Sequence, residues 1–458
     1  MNEKRLQLLT EAPAMQAIVK MSLPVVMGMM VQVLYNLVDV FFVGMLHDPY
    51  QLAAVNLAAP IAMILMAIAS VIGTGASSYI SRTLGEGRLE RADKTLSTGL
   101  AACIGLAIVV TIMASLAIEP IVHALGAKAD TYLPTKTYAA IILLGSAALM
   151  VNYVIGQLLR AEGAMMPSML GMFIGTVANI ILDPIFIFGL HMGVAGAAIA
   201  TVLGNALGIV FYLYCYKNGK SALHIRRQNI TLDRQIWREI FLIGTPSGLN
   251  QLLVSVALIL CNNVAAHYSA SLIAGMGISS KIITLGTFIF MGISAGCQPL
   301  IGYSYGAQNF TRLQAILRNG LVLTTGIGLT LALIFGLGAP WIIACFSKLP
   351  DVQTAGVYAL RAMMLSLPFV GSQMLSASTI QAMGKALPGL FLSVARQGLF
   401  YIPLLYGLNH FFADKGFLFA QPLSDFITLC ISLSILTVLL RRELAAHSAP
   451  ALEQAAQK

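Results

Sequence analysis

Twelve stretches of this chain are apolar enough and long enough to cross a membrane, and they leave room for little else. They fall near 15–46, 51–81, 95–118, 136–159, 167–189, 193–215, 238–266, 272–303, 317–343, 355–383, 388–408 and 417–440. A helix needs about 20 apolar residues to span the hydrocarbon core. In lipid a helix satisfies its backbone polar groups within one segment, so runs of this length read as helices. Only 10% of the 458 residues are charged and 58% are hydrophobic, whereas soluble domains carry about 25% charged residues. A soluble protein with such a surface would aggregate. The expectation is an all-α integral membrane protein with twelve transmembrane helices.

The net charge of +9 does not indicate a nucleic-acid partner, because the basic residues sit in short loops between apolar runs. With the N-terminus inside, twenty of the 27 lysines and arginines lie on the inner side and four on the outer. The positive-inside rule then places both termini in the cytoplasm. Met1 to Met21 lacks the shape of a signal peptide, so the first apolar segment is expected to be retained. The six cysteines show no disulfide or zinc spacing. Trp237 and Trp341 fall near segment ends, as interface anchors do.

The chain also repeats itself. Gly85 and Gly306, Arg91 and Arg312, Gly163 and Gly384, and Pro167 and Pro388 are each 221 residues apart, and Pro24 precedes Pro246 by 222. Six spans per half is an even number, so the halves share one orientation, the parallel kind of repeat. The expected architecture is two pseudo-symmetric six-helix lobes: an N-lobe over 1–216, a basic cytoplasmic linker over 217–237 and a C-lobe over 238–458.

Three acids lie inside apolar segments: Asp39, Asp183 and Asp425. An ionisable group at membrane depth is costly and marks function by default. Asp39 precedes Leu46 by 7 residues, and Asp183 precedes Gly189 by 6. At 1.5 Å per residue both lie about 9–11 Å below the outer boundary, and Thr201 lies at about 12 Å. Asn179 is four residues before Asp183 and shares its face. Asp39, Asn179, Asp183 and Thr201 thus form a candidate site for a proton or a sodium ion, since such oxygens suit a hard cation. Two carboxylates in a low-dielectric layer repel each other, and a proton, a sodium ion or a cationic substrate relieves that repulsion. Competition among them would be antiport. Pro184 frees the carbonyl of Ile180 and kinks the helix beside the acid. The alternative is a structural role for both acids, hydrogen-bonded to backbone or to Tyr35. Tyr35, Asn36, Asn152, Gln157 and Asn205 are the candidate substrate contacts.

The C-half does not repeat these acids. It holds Lys281, Arg396 and Asp425, read as a structural ion pair of Asp425 with Arg396 or Lys281, or as coupling charges. No catalytic constellation is present. Asn218-Gly219-Lys220-Ser221 resembles the tail of a P-loop, but Tyr214 occupies the required glycine position. No pair of membrane-buried histidines offers a metal site. The reading is of a protein without catalytic residues, cofactor or metal, apart from a possible sodium ion between Asp39 and Asp183. It would act as a monomer among membrane lipids.

Taken together these motifs resemble the multidrug and toxin extrusion (MATE) transporters along the whole chain, and within them the DinF/MepA-like branch. The resemblance rests on Pro24, on Asn36-Leu37-Val38-Asp39-Val40-Phe41-Phe42-Val43-Gly44, and on Ala161-Glu162-Gly163 with Pro167. Asn179 with Asp183-Pro184, Gly302-Tyr303-Ser304-Tyr305-Gly306-Ala307, and Gln381-Ala382-Met383-Gly384 with Pro388 complete it. It implies two lobes around a V-shaped cavity, opened alternately to each side. It also implies efflux of small cationic, amphipathic organic compounds against protons or sodium ions across a bacterial inner membrane. It places a cation site on Asp39, Asn179, Asp183 and Thr201. The NorM branch has acids in its seventh and tenth spans. Here Asn250 to His267 and Arg361 to Met383 contain none, so a C-lobe cation site of that type is not expected. The rival is a lipid-linked precursor flippase or polysaccharide exporter of similar topology, which would line its cavity with several cations. Here only Lys281 and Arg396 could serve.

Overall fold

The computed structural model describes residues 3–45, 48–265 and 267–456; the side chains of residues 3–4, 36–37, 39–41, 43–44, 270, 414 and 446–456 are outside that description. A short α1 (Glu3–Thr10) precedes α2 (Ala14–Gly44), α3 (Pro49–Gly85) and α4 (Leu89–Leu116). Next come α5 (Ile118–Ala124), α6 (Ala129–Leu144), α7 (Ser146–Ala161), α8 (Met165–Pro184) and α9 (Gly193–Lys217). The second half repeats the series with α10 (Arg234–Ala265), α11 (Ala270–Gly306), α12 (Phe310–Leu337), α13 (Ala339–Phe346), α14 (Pro350–Met364), α15 (Leu367–Ala382), α16 (Ala386–Val394) and α17 (Ile402–Ala456). Wide π-helical turns follow α8 (Ile185–Gly189) and α16 (Ala395–Tyr401). No strand occurs among the described residues.

Ten of these helical stretches are long and apolar enough to span a membrane, and α6 with α7, bent by 49°, makes an eleventh. The remaining expected segment, 388–408, is divided among α16, the second π-turn and the start of α17. The cause is local. Ser424 Oγ donates to the carbonyl of Arg396 at 2.8 Å, which diverts an acceptor from the helical ladder and widens the turn. A second break sits within α17 at Ala413 (φ 49°). Leu116, Leu337 and Trp341 are each more than three-quarters exposed, which suits contact with lipid.

The two halves meet through glycine. The first helix of each half reaches across to the other while still touching its own: α2 packs on α11 as well as α8, and α10 on α3 as well as α16. A Cβ at Gly75 of α3 would lie 1.9 Å from the Ile240 carbonyl oxygen of α10. Its repeat-mate Gly296 of α11 would meet Ser22 Cα of α2 at 2.6 Å. At the inner ends, a Cβ on Gly85 would lie 2.1 Å from Tyr303 O, and one on Gly306 would lie 2.1 Å from Arg82 O. Small residues let membrane helices approach to backbone contact, and here the contacts obey the 221-residue repeat.

Arginine tethers follow the same symmetry. Arg312 of α12 donates to the Leu8, Leu9 and Ala12 carbonyls at 2.7–2.9 Å, holding the lead-in to α2. Arg91 of α4 donates to Gln235 Oε1 at 2.6 Å and to Asp233 Oδ2 at 3.3 Å, at the lead-in to α10. The basic linker is folded down on the N-half. His224 N–H donates to Asp93, Arg226 N–H to Ser97 and Thr231 N–H to Thr98.

Candidate functional site

In the N-half the polar residues are assembled by a glycine crossing. A Cβ on Gly204 of α9 would lie 2.7 Å from the Gly175 carbonyl oxygen of α8. That approach brings Asn179 to Thr201, whose Oγ1 accepts from Asn179 Nδ2 across 3.4 Å. Tyr35 of α2 shares the same hydroxyl at 3.4 Å. The Thr201 carbonyl accepts from Asn205 Nδ2 at 2.8 Å, and Asn205 Oδ1 accepts from Asn152 Nδ2 at 2.8 Å. Five of the residues singled out in the sequence thus form one network across α2, α7, α8 and α9.

Asp183 lies one turn beyond Asn179, is 0% exposed, and directly precedes Pro184 and the first π-turn. Asp39 stands one turn along α2 from Tyr35; its side chain and that of Asn36 are outside the described residues. Gln157 does not join the network. Its amide donates to Tyr153 Oη at 3.0 Å, and the two side chains lie against Gly73 of α3. Asn179 Oδ1 and Asn152 Oδ1 are buried acceptors with no partner among the described residues. Leaving such an oxygen unsatisfied costs about 1–3 kcal/mol, so a ligand that donates or coordinates there is stabilised. Amide, hydroxyl and carboxylate oxygens at one depth suit a hard cation or a proton.

The C-half places a closed ion pair where the N-half has glycines. Arg396 Nε lies 2.8 Å from Asp425 Oδ1. Gln421 Nε2 donates to the same oxygen at 3.0 Å, and Ser366 donates to the other. Asp425 is fully buried, and Arg396 retains 15% exposure. Subtracting the repeat offset gives 396 − 221 = 175 and 425 − 221 = 204, the positions of Gly175 and Gly204. Lys281 is not the partner of Asp425: it is exposed and makes no ion pair among the described residues. Depth counting put both cations within reach, but only Arg396 faces the acid.

Sequence reasoning missed two charged groups at the inner side. Arg82 of α3 forms a 2.6 Å ion pair with Glu239 of α10 and joins the halves beside the glycine crossings. Glu162, just past α7, is fully buried and accepts the N–H groups of Ala222 (2.7 Å) and Leu223 (3.3 Å) from the linker. Its place in a Glu-Gly turn was legible, but its burial depends on the linker folding over it. Burial pushes the Glu162 carboxyl from its ordinary 4.5 up to about 7, against the opposing pull of Ser221, Arg5 and the two amides. Between those values the folded protein holds a proton that the unfolded chain has lost. Stability therefore falls as pH rises from about 4.5 to 7, then levels off. The effect is at most about 3 kcal/mol. Glu162→Gln is expected to flatten this slope in thermal unfolding measured from pH 4.5 to 8. A wild-type curve already flat over that range would contradict the assignment.

Known proteins give independent findings. The family model MatE matches the chain twice, over residues 24–185 and 246–406. The multidrug export protein MepA of Staphylococcus aureus (strain MSSA476) is 28% identical over 445 residues, covering 97% of each chain. MepA of Staphylococcus haemolyticus (strain JCSC1435) is 29% identical over 457 residues, 99% of this chain and all of that one. Among solved structures, an outward-facing MATE-family multidrug resistance transporter of the MOP superfamily superposes with a TM-score of 0.91. That match has 28% identity and covers 96% of this chain and 99% of the other. A MOP-superfamily transporter from Pyrococcus furiosus, described by a binding pocket of reversed polarity, gives 0.90 at 28% identity over 96% and 98%.

Proposed function

The chain belongs to the MatE family, and on that premise we propose that it is a secondary multidrug exporter moving cationic, amphipathic organic compounds outward against protons or sodium ions. The observation that carries this reading is the buried oxygen network around Asn179 and Thr201, with Asp183 one turn away and Tyr35 reaching in from α2. A cation taken up there draws α2, α8 and α9 together, so its presence biases how the halves pack. The bilayer is the inner membrane of a bacterium, both termini are cytoplasmic, and residues 1–216 and 238–458 act as the two lobes. The transporter needs no cofactor and works as a monomer. The flippase alternative is less favoured, because Arg396 is already neutralised by Asp425 and Lys281 alone remains for phosphates.

Ion and drug compete for negative charge, so they couple negatively, typically by about 1–3 kcal/mol or 5–150-fold in affinity. In proteoliposomes a fluorescent organic cation is expected to be driven by an imposed pH or sodium gradient. Its affinity falls as pH drops or as sodium rises, whichever ion couples. Asp39→Asn removes one of the competing charges and flattens that dependence. Affinity that is indifferent to both pH 5–9 and sodium would overturn the mechanism.

A further inference from the structure

We infer that Lys281 is a specificity-determining residue which receives the carboxylate of zwitterionic amphipathic substrates on the C-half wall of the gap between the halves. The inference rests on the efflux reading and adds the substrate class. The placement follows from one face of α11. At its inner end Gly296 and Gly292 of that face touch Ser22 and Val26 of α2. Positions seven and eleven residues before Gly292 return to within about 20° of the same face. They are Leu285 and Lys281, and both are exposed. The face that closes on α2 inside therefore lies open further out, about 17 Å along the helix.

An ammonium at this depth belongs to a water-filled gap rather than to lipid. The side chains of Ser280 and Thr284 flank it and are likewise exposed. No carboxylate among the described residues pairs with Lys281. Asp425, the C-half acid that lies away from the segment ends, is neutralised by Arg396, whereas Asp39 and Asp183 both belong to the N-half. The two halves thus differ in charge, with Asp39 and Asp183 in the sequence of one and the exposed ammonium of Lys281 on the other. A substrate with an ammonium at one end and a carboxylate at the other complements both halves. A simple cation complements only one.

The test uses a matched pair of dyes, rhodamine 123, an ester and a cation, and its free acid rhodamine 110. Both are assayed in proteoliposomes of the full chain with wild type, Lys281→Met and Lys281→Arg. Lys281→Met is expected to raise KM for the acid about tenfold and leave the ester unchanged or improved. Lys281→Arg should keep the acid within about twofold of wild type. Equal effects on both dyes, no effect on either, or a wild type that moves the ester but not the acid would overturn the assignment while leaving efflux itself standing. A wild type that moves neither dye under any gradient would overturn the efflux reading and this one with it. Size-exclusion profiles of all three proteins should coincide, since Lys281 is exposed.

Discussion

Asp183→Asn is expected to leave a well-folded protein that no longer exports drug. Asparagine keeps the shape of the aspartate, so the packing of α8 against α9 is preserved. What disappears is a negative charge that can be neutralised by an ion. Asp183 is 0% exposed, one turn from Asn179, at the end of α8 where Pro184 and the π-turn interrupt the ladder. An ionisable group held at this depth is costly and marks function by default. Gradient-driven efflux in vesicles should fall at least tenfold, while the elution profile in detergent stays that of the wild type. Undiminished efflux would remove Asp183 from the mechanism.

The second large effect is on stability. Asp425→Ala or Arg396→Ala strands the other charge in the C-half, and breaking a buried pair costs about 3–5 kcal/mol. Replacing both together by apolar residues, Arg396→Met with Asp425→Leu, should recover most of that loss, because a buried pair contributes little beyond an apolar isostere. The N-half supports the expectation, since the matching positions Gly175 and Gly204 carry no charge. Thermal unfolding in detergent measures the difference. Single and double variants that unfold at the same temperature would show that the two residues do not act as a pair.

The outline of this molecule was legible because lipid imposes length and composition. Spans, repeat and acids follow from counting at 1.5 Å per residue. Direction around a helix is harder. Lys281 and Arg396 lie at depths compatible with Asp425, and only the assembled helices show that Arg396 meets the acid while Lys281 is exposed. Gln157 stands apart from the other candidate substrate contacts, because it turns toward Tyr153 and α3. The broken segment before Ala413 was read as continuous because hydropathy does not record which carbonyl a serine will capture. Glu162 escaped notice because its burial is made by a linker 60 residues away in sequence. Asp39 remains a reading of the sequence.

The paired arginine tethers have a consequence for the order of assembly. The seat for the N-terminal lead-in is made by Arg312, more than 300 positions downstream. A ribosome has therefore threaded eight of the expected spans into the bilayer before that seat exists, although Arg5 can already reach the Lys220 carbonyl of the linker. The opening helix must wait, tied to a half-built partner, until the chain that will hold it emerges. That contact joins an early stretch of the chain to a late one, so the N-terminal lead-in is fastened only once the second half is under way.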